Sequence, residues 1–148
     1  MKPLNQLTIA FASDHAGFEM KTFIINQLKD KVNDWHDFGT FSTESVDYPD
    51  FAHPLAKAVE AGEYDFGIAL CCTGNGINMT VNKHQGVRAA LCWQPELASL
   101  ARRHNNANII SLPADFISNE LAIELVQIFL STDFEGGRHE RRIGKIPC

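Results

Sequence analysis

No stretch of this sequence approaches the roughly 20 consecutive apolar residues that a membrane-spanning helix needs. The opening Met1-Lys2-Pro3-Leu4-Asn5-Gln6 lacks the apolar segment of a secretory signal. Positive charge is short as well: 13 Lys and Arg stand against 18 Asp and Glu, a net charge of −5. That balance removes the basic surface on which nucleic-acid binding depends. Cysteine is sparse, at positions 71, 72, 92 and 148 only, with no spacing that suggests a zinc site or a disulfide framework. Adjacent Cys71 and Cys72 are too close along the chain for ordinary disulfide geometry. Linkers, internal repeats and low-complexity tracts are also missing. The expectation is one cytoplasmic domain over residues 1–148 with reduced thiols and a small-molecule ligand, long enough to be held by its own core.

What is present is an alternation of strand-like and helix-like segments. Strands are expected at Leu7–Ala12, Lys31–Phe38, Asp65–Cys71, Val87–Cys92 and Ala107–Leu112. Helices are expected at about Ala16–Lys29, Phe51–Ala61, Ile77–Asn82 and Pro95–Arg103, with Ser118 capping a last long one through Leu130. Such alternation predicts an α/β fold: a three-layer, doubly wound, Rossmann-like domain with a five-stranded parallel sheet. Ligands of these folds bind at the carboxyl ends of the strands. Asp14-His15 and Cys71 to Gly76 fall at such ends. His104-Asn105 falls at the amino end of its strand, a position that reaches the others only from a long helix end or a second subunit.

Cys71-Cys72-Thr73-Gly74-Asn75-Gly76 is the most informative segment. A strand that ends in a thiol and passes through a glycine-rich turn into a helix aims several backbone N–H groups at one spot, where a phosphate or an oxyanion is stabilised. The same helix start is expected to lower the pKa of the thiol. A dinucleotide fingerprint needs a third glycine that is absent, a Walker loop needs Gly-Lys-Ser/Thr, and a cysteine phosphatase needs an arginine in the loop. Taken singly, Asp14 reads as a helix cap, Tyr48 as loop packing, and Arg138, Arg141 and Arg142 as a solvated face. Arg138 and Arg142, however, are four residues apart and suit two-armed capture of a phosphate.

Together, Ser13-Asp14-His15-Ala16-Gly17, Asp47-Tyr48-Pro49-Asp50, Cys71 with Thr73-Gly74-Asn75-Gly76, Arg88-Ala89-Ala90, Arg102 with His104-Asn105, and Phe134-Glu135-Gly136-Gly137-Arg138-His139 resemble the ribose-5-phosphate isomerase B family, which has galactose-6-phosphate and allose-6-phosphate isomerase relatives. The resemblance runs in order along nearly the whole chain. It implies a homodimer or dimer of dimers with shared active sites, a phosphorylated sugar as substrate, and neither metal nor organic cofactor. It makes Cys71 the base, Thr73 its support, and Asp14 with His104 the ring-opening pair. By the same resemblance the anion hole is the loop of Cys72, Gly74, Asn75 and Gly76, phosphate falls to His15, Arg138 and Arg142, sugar hydroxyls to Asn105, and Tyr48 lines the pocket.

The chain departs from the family pattern at two positions. Cys72 stands where the family usually has glycine, and a positive φ there is expected to cost about 1–2 kcal/mol. Asp115 stands where many members have arginine. Ribose 5-phosphate is the first substrate implied; a six-carbon sugar phosphate, or sugar-phosphate binding without turnover, are the alternatives.

Overall fold

The computed structural model describes Met1–Cys148. Five parallel strands form one sheet: β1 (Thr8–Ser13), β2 (Asp34–Asp37), β3 (Phe66–Cys71), β4 (Ala89–Leu91) and β5 (Ile109–Pro113), in the order β2-β1-β3-β5-β4. Six helices connect and follow them: α1 (Phe18–Leu28), α2 (Pro49–Glu60), α3 (Asn75–Val81), α4 (Pro95–Asn105), α5 (Asn119–Ser131) and α6 (Arg138–Ile143). The α/β expectation holds.

Side-chain alternation along the three central strands builds two unlike cores. Ile9 and Phe11 of β1, Phe66, Ile68 and Leu70 of β3, and Ile110 and Leu112 of β5 meet α1, α4 and α5, whose Ile24, Leu28, Ala101, Leu125 and Phe129 are buried. The other face carries Ala10, Ala12, Ala69 and Cys71 under Leu55, Ala56 and Val59 of α2 and Ile77 and Val81 of α3. This second face is built from small residues, so the helices ride close to the sheet. A Cβ added at Gly67 would sit 3.2 Å from Leu55 and Val59 side-chain atoms. Cys71 is thereby pressed under two helices.

The edge strands are shorter than their sequence patterns suggest. β2 covers Asp34–Asp37 and not Lys31–Phe38, and β4 covers Ala89–Leu91 and not Val87–Cys92. Each has one strand neighbour, and residues 31 and 32 turn back onto α1, their N–H groups donating to Leu28 O, before Asn33 N–H reaches Leu7 O. Helices α2 and α3 begin two residues earlier than expected, α2 with Pro49 in its first turn, where the missing N–H costs nothing. Helix α4 runs on to Asn105, so His104 and Asn105 form its last turn. Ser118 caps α5 as expected, its hydroxyl accepting from Leu121 N–H at 3.1 Å.

The strand order also fixes where a ligand fits. From β1 the chain crosses to β2 on one side, while β3, β5 and β4 extend the sheet on the other. The crevice of such a sheet opens where the connections diverge, at the carboxyl ends of β1 and β3.

Candidate active site

Asp14 follows β1 and Cys71 ends β3. Because Ser13 pairs with Leu70, the next residue on each strand lies level with the other. Gly17 lets the turn after β1 close down on β3, since a Cβ there would lie 2.7 Å from Leu70 Cβ. Asp14 is 6% exposed, and its Oδ1 accepts from the N–H groups of Ala16 (3.0 Å) and Gly17 (3.1 Å). That oxygen closes the turn leading into α1, whose N-cap is Gly17 without a side-chain cap bond, so the plain reading of Asp14 as the cap of the first helix is corrected; the other oxygen makes no hydrogen bond. His15 Nδ1 accepts from Val46 N–H at 3.2 Å, which places the ring proton on Nε2 and leaves that atom as a donor.

Cys71 is 4% exposed. Gly74 sits at φ 75, where an L-residue is strained, and the turn it permits opens α3 directly over the thiol. Thr73 Oγ1 accepts from Asn75 N–H at 3.2 Å, holding the loop in shape. Tyr48, at the start of α2, lies across Gly76: a Cβ at residue 76 would come 2.7 Å from the phenol oxygen. Tyr48, Thr73 and Asn75 are exposed and Cys72 is half-buried, so the mouth of the loop is open.

Two expectations for this loop are corrected. Burial pushes the Cys71 thiol up, and the Asp14 carboxylate adds to it, against the N–H groups of Ile77, Gly74 and Thr73. Position at a helix start is outweighed by desolvation under α2 and α3. Cys72 also carries no backbone strain, because Asn106 is the one non-glycine residue with positive φ. The Cys72 carbonyl instead accepts from Asp115 N–H at 3.1 Å, and the Asp115 carboxylate beside it pushes the Cys72 thiol up. The two departures from the family pattern therefore touch each other. Cys92, buried among apolar residues, is pushed up to about 12.

The remaining candidates gather elsewhere. His104 stacks on His139 with centroids 4.3 Å apart and planes 13° apart. Asn105 completes the same helix end, and Arg138 and Arg142 project from α6 beside it, exposed and one turn apart. This group lies at the amino end of β5, while Cys71 pairs with Pro113 at its carboxyl end. Five residues at about 3.3 Å each separate the two groups. None of the three surface cavities is lined by Asp14, Cys71 or Thr73, and Asn105 lines one of about 230 Å³ with Arg88 and Ile146.

The residues that position this second group went unassigned in the sequence. Arg102, 6% exposed, stacks over Phe66 (4.8 Å) and Phe129 (5.7 Å) and reaches Asn106 Oδ1 at 2.9 Å. Arg88 donates to the carbonyls of Asn105 and Asn106. Arg88 thus caps the carbonyl end of α4, where the helix dipole favours cations, while Arg102 of its last turn ties that end to Ala107 and Thr132. Glu135 accepts from Arg103 Nε at 2.7 Å and lies at the Nε2 edge of the stacked His104 and His139 rings. Burial holds the His139 imidazole below its usual pKa, with His104 and Arg138 adding to the effect.

Residues 9–146 match the model of the Ribose/Galactose Isomerase family. The chain is 41% identical over 138 residues to ribose-5-phosphate isomerase B of Escherichia coli strain K12, covering 93% of each chain. It superposes on a ribose 5-phosphate isomerase from Thermotoga maritima with a TM-score of 0.93 and 53% identity, over 95% of this chain and 97% of that one. A structure of ribose-5-phosphate isomerase B from Mycoplasma genitalium with bound ribulose-5-phosphate matches with a TM-score of 0.89 and 43% identity, over 94% and 93% of the two chains. With a parallel sheet of the same architecture, and with relatives this similar over almost its whole length, the chain belongs to the ribose/galactose isomerase family and is a sugar-phosphate isomerase.

Proposed function

We propose that this protein interconverts ribose 5-phosphate and ribulose 5-phosphate through an enediolate, at sites that each draw on two copies of the chain. The observation that carries the reading is the level placement of Cys71 and Asp14 under a loop of N–H donors at the switch point of the sheet. Asp14 and His104 open the sugar ring by exchanging protons with the ring oxygen and the anomeric hydroxyl. Cys71, as thiolate, takes the C2 proton of the open-chain aldose and returns it to C1. The hydroxyl proton moves from O2 to O1, with Thr73 supporting the transfers. The negative oxygen formed between these steps rests on the N–H groups of the Cys72–Gly76 loop, the kind of preorganised donor that stabilises charge as it develops. His15, Arg138 and Arg142 hold the phosphate, Asn105 a hydroxyl, and Tyr48 walls the pocket, so that binding far from the reacting carbons fixes their position.

Within one chain, His104 and the arginines lie a strand's length from Cys71. A homodimer, or a dimer of dimers, in which the amino-end group of one protomer faces the carboxyl-end group of its partner supplies a complete set. The relative captured with ribulose-5-phosphate supports a five-carbon substrate.

Purified protein is expected to interconvert the two pentose phosphates in a coupled assay without added metal. A clear preference for galactose 6-phosphate or allose 6-phosphate would transfer the reading to six-carbon substrates. Asp115, set against Cys72 at the loop, is the observation that favours that second reading. Affinity without turnover would reduce the chain to a sugar-phosphate-binding protein. The pH profile is a further check. Cys71 acts only as thiolate and its pKa is raised, so kcat/KM should climb about tenfold per pH unit through the neutral range into the alkaline one. A profile already flat at neutral pH removes Cys71 as the base.

A further inference from the structure

We propose that His104, Glu135 and His139 form a binding site for a divalent transition-metal ion of the zinc type. Their donor atoms all lie within 4.8 Å of one another. The Glu135 carboxylate stands at the Nε2 edge of the two stacked rings, with Oε1 3.9 Å from His104 Nε2 and Oε2 3.9 Å from His139 Nε2. Neither contact is short enough for a hydrogen bond.

The pointer to a ligand is His139. Its side chain is 6% exposed, yet Nε2 has no hydrogen-bond partner. Buried polar atoms are almost always paired, so an orphaned nitrogen facing a carboxylate and a second imidazole marks a gap that a further atom would fill. Zinc bonds of about 2.0–2.2 Å set tetrahedral donors roughly 3.3 Å apart. The two 3.9 Å contacts therefore need to close by about half an ångström, and a donor pair near the 4.8 Å limit by about 1.5 Å. His104 and Glu135 have side chains 36% and 40% exposed; Glu135 is tethered through Oε1 to Arg103 Nε at 2.7 Å, so closing around buried His139 falls mainly to His104.

The surroundings select the kind of ion. Arg103 holds Glu135, and Arg138 and Arg142 act on His139, so positive charge encircles the trio. That disfavours a hard cation bound by charge and oxygen alone, and leaves an ion that takes imidazole nitrogen strongly, with a fourth position open to solvent. The other histidine pair offers no such site. His53 Nδ1 and His84 Nε2 are hydrogen-bonded to each other at 2.8 Å, and Glu60 Oε1 accepts from Gly86 N–H at 2.7 Å. Where His104 has the ring-opening role proposed above, which this consequence rests on, a bound ion withdraws it and inhibits turnover.

Cobalt(II) is the probe, because its visible ligand-field band reports four-coordinate binding and a near-ultraviolet band reports thiolate ligation. Metal-free full-length protein in phosphate-free buffer is expected to bind one cobalt per chain with a Kd below about 0.1 mM, to show no thiolate band, and to release it to zinc. Glu135→Gln, an exposed position, and His139→Gln should each weaken binding at least about tenfold, the loss of one donor, while His84→Gln changes nothing. Absence of the visible band, a thiolate band in its place, or undiminished binding by Glu135→Gln overturns the proposal. Zinc inhibition relieved in Glu135→Gln supports it further. Cobalt binding that obeys the variants while turnover ignores zinc keeps the site and removes His104 from the reaction.

Discussion

A Cys71→Ala protein is expected to fold and to bind sugar phosphate, yet to isomerise it about 10²–10⁴-fold more slowly, the range a positioned general base contributes. The alanine removes the one group that lies level with Asp14 under the loop and leaves the loop itself intact. Affinity should change little, because the phosphate ligands and N–H donors are untouched, so the loss should fall on kcat. The neighbouring thiol gives the contrast. Cys72 is half-buried beside Asp115 and contributes its backbone to the loop, so Cys72→Ala should keep most activity. In the proposed role of Cys71 as base, burial would work for the reaction in spite of raising the pKa. A thiolate generated among apolar side chains has little water to compete with the C2 proton. Retained turnover in Cys71→Ala, with loss in Cys72→Ala, reverses the assignment.

Lys21→Met should be the most damaging substitution for stability, lowering the free energy of unfolding by about 3–5 kcal/mol, the cost of stranding one partner of a buried ion pair. Lys21 is fully buried in the first helix, and its ammonium donates to Asp37 Oδ1 and to the Thr40 carbonyl, both at 2.6 Å. Burial pulls its pKa down and the Asp37 carboxylate pulls against it. The variant leaves Asp37, with a side chain 19% exposed, facing a methyl group. Adding Asp37→Asn should recover part of the loss, because the amide oxygen still accepts from Gly39 N–H. Urea unfolding of the two variants and of Asp37→Asn closes the double-mutant cycle. A loss below about 1 kcal/mol, the scale of a surface pair, would show that the pair is not buried in solution. The same lysine links α1 to the residue 37–40 segment, whose Thr40 N–H donates to Ser13 O next to Asp14, so activity should fall with stability.

The readable part of the fold is the part that buries both faces. β1, β3 and β5 announce themselves as apolar runs because helices cover each side. β2 and β4 have one strand neighbour each, and where their pairing stops is set by that neighbour, which a local pattern does not contain. The loop after β3 was legible in its glycines and thiol, and Gly74 does take the left-handed conformation. The direction of the Cys71 pKa was not, since it depends on α2 and α3 closing over a face of alanines. Lys21 reads as an ordinary polar position in its helix, and Asp37 and the Thr40 carbonyl, far along the chain, make its burial possible. Arg88 and Arg102 read as isolated charges until the fold brings Arg88 to the carbonyls of Asn105 and Asn106 and Arg102 to those of Ala107 and Thr132. Glu135 and His139 belonged to a recognisable tail, yet their meeting with His104 is purely tertiary.

The five residues of β5 that keep His104 away from Cys71 have a genetic consequence, given sites built from two chains. A chain lacking Cys71 and a chain lacking His104 are each inactive alone, but their defects lie in different halves of the site. Mixed and reassembled at random, half of the dimers would pair one of each, and each such pair would hold one intact site beside one doubly damaged site, restoring about a quarter of all sites. Two dead proteins would then complement each other in one tube, and the sheet, by holding its two ends apart, would make each chain the custodian of its neighbour's chemistry.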